Sequence, residues 1–135
     1  VIVVDASVVA TALADDGAAG WHARARLLQA DQLAAPDLVD VETVSVLRRR
    51  WLAQTLTARR FSTAVDDLAD LALDRFPTLP LMRRAYQLRA NVTAYDASYV
   101  ALAELLECTL LTADARLAKA PGTRCRVEVF TAPDT

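Results

Sequence analysis

The run VIVV at residues 1–4, closed by Asp5 in VIVVDAS, decides how the chain reads. It is continuous, apolar and β-branched, with none of the alternation that a half-solvated strand displays. Such a run marks a strand buried on both faces of a parallel sheet. Asp5 then stands just past the carboxyl end of that strand, the edge where open α/β sheets bind ligands. The same stretch lacks the basic n-region of a signal peptide. Val1 in first position is expected from a non-ATG start or from trimming.

Outward from this strand, residues 6–17 predict a short helix ending near Gly17, and WHARARLLQA a second one. QLAAP is a weak strand stopped by Pro36, and Asp37 is positioned to cap a helix from Leu38 to Trp51. A further helix starts after Thr57, with Phe61, Val65, Leu68 and Ala72 as its apolar stripe. LDRFPTLP is extended and interrupted by proline, and a helix near Leu81 to Arg89 closes at Asn91. TAYDASYVALAELLE (93–107) is helical, TLLT (109–112) is a short buried strand, ARLAKA a small helix, and VEVF the closing strand before a frayed TAPDT. Strand–helix alternation with no repeat or linker predicts one α/β domain over residues 1–135, a central parallel sheet flanked by helices.

Composition narrows the function classes. With 54% hydrophobic residues and a mean hydropathy of +0.22, the chain is not disordered, and no apolar run is long enough to span a membrane. Cys108 and Cys125 form neither a CxxC pair nor a secreted framework, and are expected as buried free thiols in a reducing cytoplasm. Arginine supplies all the basic residues but Lys119, a bias that goes with the alanine content and a GC-rich genome. The net charge of −2 argues against a generally basic binder. If Asp5, Glu42, Asp96 and Asp114 were neutralised by cations, the remainder would be +2, which suits a polyanion substrate.

Each of those acids has an ordinary explanation. Asp5 and Asp114 could cap the helices that follow them. Asp96 could complete a capping box with Thr93, and Glu42 could pair with Arg49 seven residues on. Taken together, four carboxylates able to reach one sheet edge repel one another, by roughly 4 kcal/mol for a pair about 4 Å apart at an effective dielectric near 20. Such a group needs bound cations or raised pKa values. Oxygen-only ligands favour Mg²⁺ or Mn²⁺, the equipment of phosphodiester hydrolysis. Other chemistries are poorly supplied. His22 is the only histidine and reads as a surface residue, so no histidine zinc site forms and a Ser-His-Asp triad would have to rest on His22. Three glycines make no phosphate-cradling loop. A haloacid-type phosphatase would need an acid where Ser7 stands.

VIVVDASV, APDLVDVETVSVLRR, LRANVTAYDASYVALAE and LLTADARLA, in that order across nearly the whole chain, resemble the PIN-domain ribonucleases, specifically VapC toxins of toxin–antitoxin pairs. The resemblance implies a PIN-like fold and a homodimer. It also implies a Mg²⁺- or Mn²⁺-dependent endoribonuclease, cytoplasmic and inhibited by a cognate antitoxin. The family's acids map onto Asp5, Glu42, Asp96 and Asp114, with Asp5, Asp96 and Asp114 as metal ligands and Ser7 and Thr112 as supporting hydroxyls. Some relatives carry a further acid after the last motif, where this chain has Ala115 and Arg116, which puts a second metal in doubt. Arg48, Arg49, Arg83, Arg84, Arg89 and Arg116 are the expected RNA grips, and the Leu38–Trp51 helix with Phe61 and Val65 the expected partner groove. The rival reading is a non-catalytic PIN-like protein-binding module in which the acids are caps and ion pairs.

Overall fold

The computed structural model describes residues 1–132, and within them the apolar runs become a five-stranded sheet. Strands β1 (Ile2–Val4), β2 (Leu33–Pro36), β3 (Asp74–Phe76), β4 (Thr109–Thr112) and β5 (Val127–Val129) lie in the order β3-β2-β1-β4-β5. All four neighbouring pairs are parallel. Seven helices flank them: α1 (Ala6–Ala14), α2 (Ala18–Leu28), α3 (Val39–Leu52), α4 (Ala58–Asp70), α5 (Met82–Gln87), α6 (Ala94–Leu105) and α7 (Ala115–Ala118). Val3, Val4, Leu110 and Leu111 are wholly buried, as the absence of alternation predicts for central parallel strands. No helix among the described residues is long and apolar enough to cross a membrane.

The order matters for function. The chain builds outward from β1 to β2 and β3, then crosses back to place β4 on the other side of β1. The β1/β4 seam is therefore the topological switch point, and the helices after these strands leave in opposite directions, opening a crevice at their carboxyl ends. Val4 pairs with Leu111 across the seam, and the Asp5 N–H donates to the Leu111 carbonyl at 3.1 Å. Asp5 follows β1 directly and Asp114 follows β4 by two residues, so both stand at this crevice.

α1 and α2 meet at a tight corner. Asp15 Oδ1 accepts from the Gly17 and Gly20 N–H groups at 2.8 and 3.3 Å. Arg24 Nη1 donates to the Ala12 and Asp15 carbonyls at 3.1 and 2.9 Å, satisfying the end of α1.

Several local expectations change. Asp37 does not cap α3, whose N-cap is Leu38 without a side-chain bond. Its backbone N–H is tied to the Phe76 carbonyl at 2.7 Å, and its carboxylate accepts from the Thr78 N–H and hydroxyl, so it fastens the turn after β3. α4 buries Ala64 and Leu68, whereas Val65 is exposed and Ala72 lies beyond the helix end. The small Ala64 lets α4 approach α1 and α3 closely, which turns the inward face away from Val65. Cys108 and Cys125 are free but half-buried. His22 is half-buried, with its ring edge-on to Trp21 at 4.9 Å between centroids.

α3 turns Val39, Thr43 and Leu47 into the interior, all fully buried. Among the described residues the Thr43 hydroxyl has no hydrogen-bond partner. A buried unpaired hydroxyl costs free energy, and valine has the same shape without it. Thr43→Val is expected to stabilise the fold by about 1 kcal/mol. Urea melts check this, and a lower midpoint in the variant would contradict it.

Candidate functional site

Asp5 is the pivot of the crevice. It caps α1, accepting from the Val8 N–H at 3.3 Å, and its side chain is nearly out of solvent. Ser7 Oγ donates to Oδ1 at 2.6 Å and the buried Thr112 hydroxyl donates to Oδ2. The capping reading is therefore correct as geometry, yet it accounts for one of three donors. Burial raises the Asp5 pKa above its ordinary value, and the two hydroxyls hold it back. Thr112 in turn accepts from the Asp114 N–H at 3.1 Å, and Ser7 Oγ from the Ala113 N–H at 3.4 Å, which stitches the ends of β1 and β4 together.

The other three acids arrive from three elements. Glu42, in the first turn of α3, Asp96, in the first turn of α6, and Asp114, the N-cap of α7, share with Asp5 a cavity of about 530 Å³. Ser7, Ser45, Arg49 and Tyr95 also line it. Burial raises the Asp96 pKa, and the charges of Asp114 and Asp5 add to the rise. Glu42 is raised by burial and by Asp96 and Asp5, against the lowering effects of Tyr99 and Arg49. So the four carboxylates sense one another across the cavity. Asp96 also accepts the expected cap geometry, its N–H donating to Thr93 Oγ1 at 3.2 Å.

Asp114 differs from the others. Arg116 donates to it from the backbone at 2.9 Å and from the guanidinium at 3.1 and 3.0 Å, which lowers its pKa. Among the described residues no three metal-ligating side chains are gathered into a ready-made cage. The reason is local: Asp5 is turned to Ser7 and Thr112, Glu42 to Tyr99, and Asp114 to Arg116. The donor set is nonetheless all carboxylate oxygen with raised proton affinity at three of its members, and that chemistry fits a hard divalent cation.

Tyr99 is the residue that sequence reasoning missed. It is 2% exposed in the middle of α6, and its hydroxyl donates to Glu42 Oε1 at 2.7 Å. Burial and the Glu42 charge push its own pKa upward, so it stays a donor. The available signal was a tyrosine one helical turn after Asp96, whose polar tip needs a partner when buried. Tyr99→Phe removes a bond that lowers the Glu42 pKa. Any activity requiring ionised Glu42 is then expected to shift its acid limb to higher pH and fall by about tenfold or more. An unchanged pH profile would contradict a role for this bond.

The candidate cations scatter. Arg49 lines the acidic cavity, and Arg116 holds Asp114. Arg84 is occupied, bonded to both oxygens of Glu104 at 2.7 and 3.1 Å and to the Gly122 carbonyl at 2.8 Å. Arg48 is exposed on α3, and Arg83 and Arg89 are exposed on and after α5. In the expected partner groove Leu47 and Phe61 pack inside the protein, while Val41, Trp51 and Val65 remain exposed, as does Leu52 just beyond it.

Comparison with known proteins gives one consistent result. The PIN domain family model matches residues 2–122. Ribonuclease VapC9 and Ribonuclease VapC1 of Mycobacterium tuberculosis are each 44% identical over 128 residues. The first alignment covers 95% of this chain and 97% of the relative, and the second 94% and 96%. Among solved structures, VapBC2 from Rickettsia felis, bound to a promoter DNA fragment, superposes with a TM-score of 0.66 at 13% identity, over 96% of this chain and 98% of that one. FitAcB from Neisseria gonorrhoeae gives 0.66 at 15% identity, over 94% and 96%. These last two are likenesses of fold.

Proposed function

The chain belongs to the PIN-domain family, among the VapC-type ribonucleases of toxin–antitoxin pairs, and from that premise we propose that it is a divalent-metal-dependent endoribonuclease. Its catalytic carboxylates are Asp5, Glu42, Asp96 and Asp114. The observation that carries this assignment is the convergence of these four acids on one cavity at the β1/β4 switch point, three of them with raised pKa values. A non-catalytic binding module gives no reason for carboxylates to face one another at such a cost.

Asp5, Asp96 and Asp114 are the residues that would hold Mg²⁺ or Mn²⁺. The ion supplies charge neutralisation at the scissile phosphate and a lowered pKa for the attacking water. Ser7 and Thr112 donate to both oxygens of Asp5 and fix its orientation at the end of β1. Glu42, oriented by Tyr99, accepts a proton from the attacking water or holds that water by hydrogen bonding. Arg116 is exposed and swings free of Asp114 at small cost. Arg49, at the cavity wall, offers a phosphate oxygen a cationic donor.

A cognate antitoxin and a second copy of the chain are the proposed protein partners, in the cytoplasm. The exposed Val41, Trp51, Leu52 and Val65 on α3 and α4 are the apolar surface for such contacts.

The test compares the purified protein with its Asp5→Asn variant on total cellular RNA in Mg²⁺, Mn²⁺ or EDTA. Discrete metal-dependent fragments from the parent alone are expected. Equal cleavage by the variant would refute the site, and no cleavage together with no calorimetric metal binding would turn the reading to a binding module.

A further inference from the structure

Three exposed side chains around α5 form a patch that the acidic cavity does not use. Tyr86 presents its ring to solvent, 55% exposed. The Arg89 guanidinium stacks 4.1 Å from the ring centroid and that of Arg83 lies 5.8 Å from it. Arg89 also donates to the Tyr86 carbonyl at 3.0 Å, which holds it in place. Among the described residues neither arginine is in a salt bridge, in contrast to Arg84 beside them. The result is a half-exposed aromatic ring with two guanidinium groups over it that no salt bridge compensates.

Its position relates it to the cleavage site. Four residues beyond Arg89, Thr93 caps α6 and lines a cleft of about 200 Å³ shared with Asn91, Asp96, Asp114 and Arg116. Chain reach alone keeps the Arg89 and Thr93 Cα atoms within ~14 Å of each other. The patch therefore lies within the length of a few nucleotides of the residue that lines the cleft.

We infer that Arg83, Tyr86 and Arg89 form a subsite for single-stranded RNA flanking the bond to be cut, the two guanidinium groups taking phosphates and the Tyr86 ring a base. This inference rests on the ribonuclease reading and extends it to a surface outside the acidic cavity. Phosphates supply the counter-charge that the patch lacks, and every base offers a face to an aromatic ring. A second copy of this chain is the poorer occupant, because a two-fold contact centred here would set the same positive charges against themselves.

The experiment measures binding of a fluorescein-labelled mixed-sequence RNA of about 20 nucleotides across a salt series, with the Asp5→Asn protein as the non-cleaving background. The Arg83→Gln/Arg89→Gln double variant is expected to flatten the log affinity against log salt slope by about 1.4, near 0.7 for each lost phosphate contact. Tyr86→Ala is expected to weaken binding about fivefold or more with the slope unchanged, and Tyr86→Phe to retain binding. Arg59→Gln, an exposed arginine on α4, controls for net charge and should keep the slope. An unchanged slope in the double variant, or an equal change in the control, overturns the subsite. If the parent cleaves RNA while the patch variants bind normally, the subsite alone is refuted. A parent that neither cleaves nor binds RNA refutes the subsite and the ribonuclease reading together.

Discussion

Asp96→Asn is expected to lower RNA cleavage on the order of a thousand-fold while making the metal-free protein slightly more stable. The two effects have one origin. Asp96 sits at the head of α6, half-buried, facing Asp114 and Asp5, and both burial and those charges oppose its ionisation. Asparagine keeps the size and the cap geometry, since the bond to Thr93 uses the backbone N–H. What it removes is a half-buried charge that burial and two neighbouring acids oppose. The folded protein holds the Asp96 proton more tightly than the unfolded chain does. The parent therefore loses stability as pH rises from the ordinary value of 3.8 through the raised folded value, and the asparagine variant does not. The gap between their melting temperatures should open over that window and be complete at neutral pH. Saturating Mg²⁺ should reverse the order, since only the parent gains from binding it. Paired melts with and without the ion decide the matter, and full cleavage by the variant would remove Asp96 from the site.

Gly20→Ala carries the largest expected loss of stability. A Cβ on Gly20 would stand 1.7 Å from the Asp15 carbonyl oxygen and 2.6 Å from its carbon, with Arg24 Nη1 at 2.8 Å. The arginine end can move, but the carbonyl belongs to the backbone at the end of α1 and already accepts from Arg24. Relief requires α2 to back away from α1, and that would open the contact that buries Ala23 and Leu27. The cost is about 3 kcal/mol, or roughly a 10 °C fall in melting temperature for a chain of this length. A melt within about 2 °C of the parent would show that the corner is softer than its geometry implies.

Legibility in the sequence followed the physics of each element. Asp5 and Asp114 could be placed because a buried strand announces itself by composition, and the residue after it must lie at the sheet edge. Asp96 was legible through its Thr93 cap, which fixes where α6 begins. Glu42 was different. On the helix wheel it looked like a partner for Arg49, and only the joint reading of the four acids, which the family resemblance then matched, made it a candidate, because the direction in which α3 crosses the crevice depends on packing that no local pattern encodes. Tyr99 was hidden for the same reason, as a buried aromatic in an apolar helix reads as core until its hydroxyl is seen to reach α3. Asp37 shows the opposite failure. A cap was expected from residue type and position, but the turn after β3 offered Thr78, a long-range partner invisible to a local reading.

The seam between β1 and β4 also sets a schedule. Asp5 is made 107 residues before Thr112, which clasps it. At about 5–20 residues per second, the ribosome needs roughly five to twenty seconds to supply the second half of that clasp. Until β4 has emerged, β1 has no neighbour on that side and the acids have no common cavity. A chain cut short before Thr112 would thus lack both the clasp on Asp5 and the shared cavity, and competence arrives only once β4 has been made.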